Sequence, residues 1–136
     1  MERTQLEQGR ARRARAQGRK HEDLQAALGS LDPRLAEWAD GWIFGTVWDD
    51  GAPFDDRMLV AIVALAATGK PQQLKNYLHG ALQDGMDPRR IHEALTMLVV
   101  YVGFPTALQS LSVWQEVVTA ARTRGMTVDV PVRSAP

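Results

Sequence analysis

Cysteine is absent from the 136-residue chain. Without a thiol there is no disulfide, no thiolate metal ligand, and no sulfur nucleophile or redox couple. Long hydrophobic runs are scarce as well. No apolar stretch of the secretory type follows the N-terminus, and the longest nearly apolar segments fall far short of the ~20 residues a bilayer span needs. The expected location is therefore cytoplasmic, with no membrane partner. Charge of one sign is also missing: 16 Lys and Arg balance 16 Asp and Glu, and the sequence pI is about 6.8. The chain as a whole carries no electrostatic pull toward nucleic acid. Histidine is limited to His21, His79 and His92, with no pair at helical i, i+4 spacing. The acidic pairs Asp49-Asp50 and Asp55-Asp56 read as loop and cap residues, so no metal site is expected. No glycine-rich phosphate cradle occurs either. At 15.1 kDa the chain is one domain's worth of sequence, long enough to bury a core.

What is there is organised around Asp87 to Ala107, DPRRIHEALTMLVVYVGFPTA. Asp87 is a good N-cap, and Pro88 stands at the first helical position, where a missing N–H costs nothing. Between Leu95 and Val102 hardly a polar atom interrupts the run. A helix apolar all round is buried on all sides, so this one is expected at the centre of an all-helical domain or assembly. Gly103-Phe104-Pro105 stops it, because proline disfavours the helical region for the residue before it.

Residues 1–20 form a basic segment, with Arg3, Arg10, Arg12, Arg13, Arg15, Arg19 and Lys20 against Glu2 and Glu7. The rest of the chain is correspondingly acidic. Lacking an apolar stripe, this segment reads as a flexible, solvated arm with a helical end. A nucleic-acid arm would want aromatic residues among the charges, and none is present. His21 to Leu28 reads as a short amphipathic helix closed by Gly29, and Asp32-Pro33 opens another helix. Trp42, Phe44 and Trp48 give its end an aromatic character before the turn Asp49-Asp50-Gly51-Ala52-Pro53. A helix beginning at Asp55 or Asp56 is apolar after Arg57. The next, Gln72 to Asp84, has its apolar face at Leu74, Leu78, Ala81 and Leu82. The last, Thr106 to Arg124, puts Leu108, Leu111, Val118 and Ala121 on one side and has Gly125 as its C′ candidate. The tail 126–136 alternates (Val128, Val130, Val132) but carries Pro131, which points to a docking arm or disorder and not to a sheet. The expected organisation is an arm over 1–20, a helical domain over 21–125 and a tail over 126–136.

Three segments then stand out together: GTVWDDGAPFDDRMLVAIVALAATGK, LKNYLHGALQDGMDPRRIHEAL and YVGFPTAL. In order and spacing they resemble the carboxymuconolactone decarboxylase family, from about Leu31 to Val118. The resemblance implies an all-α, AhpD-like bundle of about six helices, assembled as a homotrimer or homohexamer. The family has a thiol branch that uses a Cys-x-x-Cys pair and a cofactor-free decarboxylase branch acting on a carboxylated lactone. Related members act on polyketide-like natural products. The cysteine pair would fall just before Leu74, around Gln72 and Gln73, so the resemblance here is to the cysteine-free, non-redox branch. The family's Glu falls on Met58 and its His on Tyr77, with His79 two residues further on.

Loss of carbon dioxide without a cofactor needs an electron sink in the substrate, apolar walls around the departing carboxylate, and a proton for the resulting enolate. Arg57 is the candidate carboxylate anchor, its planar fork matching both oxygens; the alternative is a surface Arg paired with Asp55 or Asp56. Tyr77 and His79 are the candidate proton donors, Tyr77 being otherwise a core tyrosine and His79 a surface or interface histidine. Trp48, Trp42 and Phe44 are candidate walls for a flat substrate, or simple core. The function expected is a decarboxylase-type lyase on a conjugated carboxylated lactone or polyketide-like acid, with no cofactor. The partners expected are a small-molecule substrate and other copies of the chain, with no nucleic acid. The alternative is a non-catalytic ligand-binding or assembly protein that retains the fold.

Overall fold

The computed structural model describes residues 2–49 and 51–136; Asp50, part of the expected acidic turn, lies outside them. Helices follow one another in the order α1 (Arg3–Gln17), α2 (His21–Leu31), α3 (Pro33–Glu37), α4 (Phe54–Ala67), α5 (Pro71–Gln83), α6 (Pro88–Val102) and α7 (Phe104–Thr123), and no strand occurs among the described residues. The all-α expectation holds. The two Asp-Pro starts behave as read: the Asp32 carboxylate accepts from the Arg34 N–H at 2.9 Å and Asp87 from the Arg89 N–H at 3.0 Å. Gly103, at φ 85°, ends α6 in a conformation that a side chain resists. One local expectation fails: α2 passes through Gly29 to Leu31, because Gly29 keeps helical geometry.

The core lies where α4, α5, α6 and α7 meet, around Met58, Ile62, Leu78, Ile91, Leu95 and Trp114, all at or below 1% exposure. The indole Nε1–H of Trp114 donates to His92 Nδ1 at 3.3 Å, which gives its buried polar end a partner. On α7 the buried stripe is Ala107, Ser110, Val113, Trp114, Val117 and Ala121, with Val118 beside it. Leu108, expected on that stripe, is 55% exposed.

Two larger findings bear on the expectations drawn from composition. The segment expected as a flexible arm is a 15-residue helix laid across α5 and the chain after α3. It docks without an apolar stripe because its arginines do the docking. Arg13, 3% exposed, pairs with Asp40, 2% exposed, at 3.2 Å. Arg12 reaches Asp49 at 2.9 Å, and Arg15 holds Asp84 through two bonds of 2.9 Å while its guanidinium lies 3.9 Å over the Phe54 ring. Asp40 comes within reach because Trp38–Ile43 winds as a wide π-type turn that buries Ala39, Asp40 and Gly41. The second concerns α6, expected at the centre of a domain or assembly. Its Ile91, Leu95 and Leu98 stripe is buried, but Met97, Val100 and Tyr101 are exposed, as is Phe104 just beyond. Within one chain the helix is covered on one side only. The tail docks: Val128 and Val130 are buried, and the Arg122 guanidinium donates to the carbonyls of Val128 and Val132 at 2.7 Å.

Glycine permits a close helix crossing at Gly80. A Cβ there would be driven into the Ala16 carbonyl of α1, so the closest approach of α1 to α5 exists only because position 80 has no side chain. Gly to Ala inside a helix ordinarily gains ~0.5–1 kcal/mol. Gly80→Ala is expected to reverse that sign, with a net loss of about 1–3 kcal/mol from overpacking. Urea denaturation of the two proteins checks it; a Gly80→Ala protein as stable as the parent removes the close crossing from the account.

Candidate functional site

Two cavities open on opposite flanks of α5, and Gln17, the last residue of α1, borders both. Side chains on a helix two positions apart face roughly opposite ways, which is why Tyr77 and His79 part company here. Tyr77 faces the first cavity, of about 580 Å³, together with Arg57, Trp48, Gln73 and Gln17. Val60, Ala61, Ala64 and Leu65 of α4 give that cavity its apolar wall. His79 faces the second cavity, among Arg19, Lys20, Lys75 and Arg124.

Three of the residues expected at a site are therefore brought together: Arg57, Tyr77 and Trp48. The Trp48 and Tyr77 rings lie with centroids 6.2 Å apart and planes tilted by 31°. Phe44 is 2% exposed and backs Trp48 at 4.8 Å, supporting the wall from behind without bordering the cavity. Trp42, 57% exposed, is not part of this cavity. Phe54, to which sequence reasoning gave no role, meets Trp48 edge-on at 5.7 Å and completes the aromatic cluster. Met58, where the resemblance puts a glutamate, is fully buried in the core.

Gln17 is the residue that sequence reasoning missed. It lies beside Tyr77 and favours the ionised form of the phenol, as an amide N–H₂ turned toward the phenol oxygen would, and its own Oε1 accepts from Arg13 Nε at 2.8 Å. A line of contacts thus runs from Asp40 through Arg13 and Gln17 to Tyr77. Nothing local in the sequence marks Gln17, which sits in a segment without a stripe. Burial pushes the Tyr77 phenol above its ordinary value, only partly offset by Gln17 and the nearby Arg13 charge. At neutral pH Tyr77 is a proton-bearing phenol, next to Gln17, that can donate its own proton into the cavity.

His79 is the reverse case. Burial first, and then the charges of Arg124, Lys75, Lys20 and Arg19, push it down to about 4, so at neutral pH its imidazole is uncharged. Among the described residues no group of His, Asp or Glu is placed to hold a metal ion, and no helix is long and apolar enough to cross a membrane.

The His79 displacement is a statement about acid stability. Between the unfolded value near 6.5 and about 4 the unfolded chain carries a proton that the folded chain refuses. Stability is therefore lost progressively as pH falls through that window, and it is unaffected by this group above it. His79→Gln is expected to flatten the fall in melting temperature between pH 7 and pH 5, read by circular dichroism melts at each pH. An unchanged slope would mean that His79 titrates normally in the folded protein.

Comparison with known proteins now adds two findings. The model of the carboxymuconolactone decarboxylase family matches residues 33–116. The chain is also similar to a 4-carboxymuconolactone decarboxylase of Acinetobacter baylyi, 25% identical over 112 residues that cover 81% of this chain and 84% of the relative. No solved structure matches.

Proposed function

We propose, from the premise that this chain belongs to the carboxymuconolactone decarboxylase family, that it is a cofactor-free lyase releasing carbon dioxide from a small conjugated lactone or polyketide-like acid in the cavity of Arg57, Trp48 and Tyr77. The observation that carries this reading is the pairing of a cation with a protonated phenol across one largely apolar cavity. Arg57 binds the substrate carboxylate through its planar fork. The apolar wall from α4 and the Trp48 ring hold the unsaturated body and keep water from the departing group. As the bond to the carboxylate breaks, its electron pair moves into the conjugated carbonyl and leaves carbon dioxide and an enolate. Tyr77 donates a hydrogen bond to the enolate as charge develops and then supplies its proton, with solvent restoring it. Gln17 steadies the phenol oxygen throughout.

The same reading includes a second copy of the chain. The exposed apolar side of α6 (Met97, Val100, Tyr101) and the exposed Val60 of α4 are surfaces that single-chain packing leaves in water. Covering them in a homotrimer or homohexamer gives α6 the burial on all sides that its composition calls for. Light scattering checks this, and a monomer at high protein concentration would refute it.

The first experiment follows carbon dioxide release and ultraviolet absorbance with 4-carboxymuconolactone. Tyr77→Phe is expected to lower kcat by ~10²–10⁴, the range for loss of a positioned general acid. Arg57→Gln is expected to lower kcat/KM by at least ~tenfold, the loss of one charge-assisted anchor. His79→Gln, on the other flank of α5, is expected to keep both constants. Turnover that depends on His79 and not on Tyr77 would overturn the assignment, and no turnover at all would move the reading to a non-catalytic ligand-binding protein.

A further inference from the structure

The second cavity plays no part in that chemistry, yet it is the place where the chain concentrates positive charge. Its volume is about 240 Å³, the share of on the order of eight liquid waters. Four cations from separate parts of the chain converge on it. Arg19 and Lys20 follow α1, Lys75 comes from α5, and Arg124 follows α7. Asn76, Gln83 and Gln17 add uncharged polar groups, and His79 lies among them. Among the described residues the one carboxylate on the lining is Glu116, 3.5 Å from Lys75.

A chain with no net charge has thus gathered four cations against one anion. Many of its other arginines are matched to carboxylates: Arg10 and Arg13 with Asp40, Arg12 with Asp49, Arg15 with Asp84, Arg89 with Asp129 and Arg90 with Asp56. The helix dipole accounts for part of the pattern, since Arg19, Lys20 and Arg124 stand at helix C-terminal ends. It does not account for Lys75, which sits in the first half of α5, nor for two helix ends and a mid-helix lysine opening on one hollow. The backbone is shaped to the arrangement. Gly18, at φ 68°, turns the chain out of α1, and a Cβ there would press on the Gln83 side chain that borders the hollow. Like charges so placed repel one another until an anion enters.

We infer that the cavity bounded by Arg19, Lys20, Lys75, His79 and Arg124 is a binding site for a small, multiply charged oxyanion, separate from the decarboxylation cavity. The shared chemistry is two or more negative charges on compact oxygen groups, as in a phosphate ester or a small polycarboxylate. Arg and Lys supply charge-assisted bonds, and Asn76 and Gln83 can donate from their amides. The ring of His79 reports occupancy. In the free protein burial first, and then the surrounding cations, keep it neutral; a bound dianion would offset the cations and move its titration upward.

The experiment uses the full chain and inorganic sulfate, whose charge is constant across the working range, with sodium chloride holding ionic strength fixed. Titration calorimetry at neutral pH measures binding, and ring-proton NMR of His79 locates it, with His21 and His92 as internal references. Saturable binding is expected, with an upward shift in His79 titration that the other two histidines do not share. Lys75→Gln and Arg124→Gln are each expected to weaken binding about tenfold, one charge-assisted contact apiece. Glycerol phosphate and citrate then identify the source: tighter binding of the first assigns a phosphoryl ligand, and of the second a polycarboxylate. Heats and His79 shifts that chloride reproduces at equal ionic strength would overturn the proposal. So would sulfate binding that neither substitution weakens.

Discussion

The buried ion pair between Arg13 and Asp40 is the contact on which the rest of this structure depends. Both partners are almost fully removed from water. Ions in that position are tolerated only when their remaining bonding capacity is filled. It is filled here: Asp40 also accepts from Gln25 at 2.7 Å and from Arg10 at 3.2 Å, and Arg13 also donates to Gln17 and Gln25. With no apolar stripe, α1 docks through such pairs, Arg13 to Asp40 on the Trp38–Ile43 turn and Arg15 to Asp84 at the end of α5. By holding α1 in place, the pair brings Gln17 to Tyr77 on one flank and leads Arg19 and Lys20 to His79 on the other. Removing one partner of such a pair usually costs ~3–5 kcal/mol, because the other is left charged and alone. The division of the sequence into a basic beginning and an acidic remainder is thus the signature of an intramolecular docking, not of an arm reaching for an outside polyanion.

Features set by neighbouring residues were legible in the sequence. The caps at Asp32 and Asp87 and the stop at Gly103 follow from chemistry within one turn of chain, and each is found where expected. The grouping of Arg57, Tyr77 and Trp48 was also legible, because each sits at a marked point: the cation opening an apolar helix, the polar edge of an apolar face, and the last aromatic before a turn. Gln17 and the docking of α1 were not. They depend on Asp40, Asp49 and Asp84, each at least 27 positions away from its arginine, and no periodicity encodes such pairings. The exposed side of α6 is a different kind of miss. Composition says that a surface must be covered; it does not say by which chain.

The phenol at position 77 constrains the chemistry open to the first cavity. A phenol buried so that its proton is held more tightly than usual can give a hydrogen bond, or a proton, to a strong base such as an enolate. It cannot take a proton from carbon at neutral pH, since almost none of it is ionised. Proton abstraction next to a carbonyl, the opening move of isomerases and many other lyases, would therefore lack its base among Arg57, Gln17, Gln73 and Tyr77. Among the described residues Asp56 is the one carboxylate on the lining, and its Oδ1 is held by Arg90 at 2.8 Å. Decarboxylation has no such requirement, because the breaking carbon–carbon bond itself supplies the electron pair and only an acid is needed to finish. A cavity that offers a cation, an apolar wall and a reluctant proton donor is matched to that sequence of events, and the match survives the replacement of both residues on which the resemblance would have rested a proton relay.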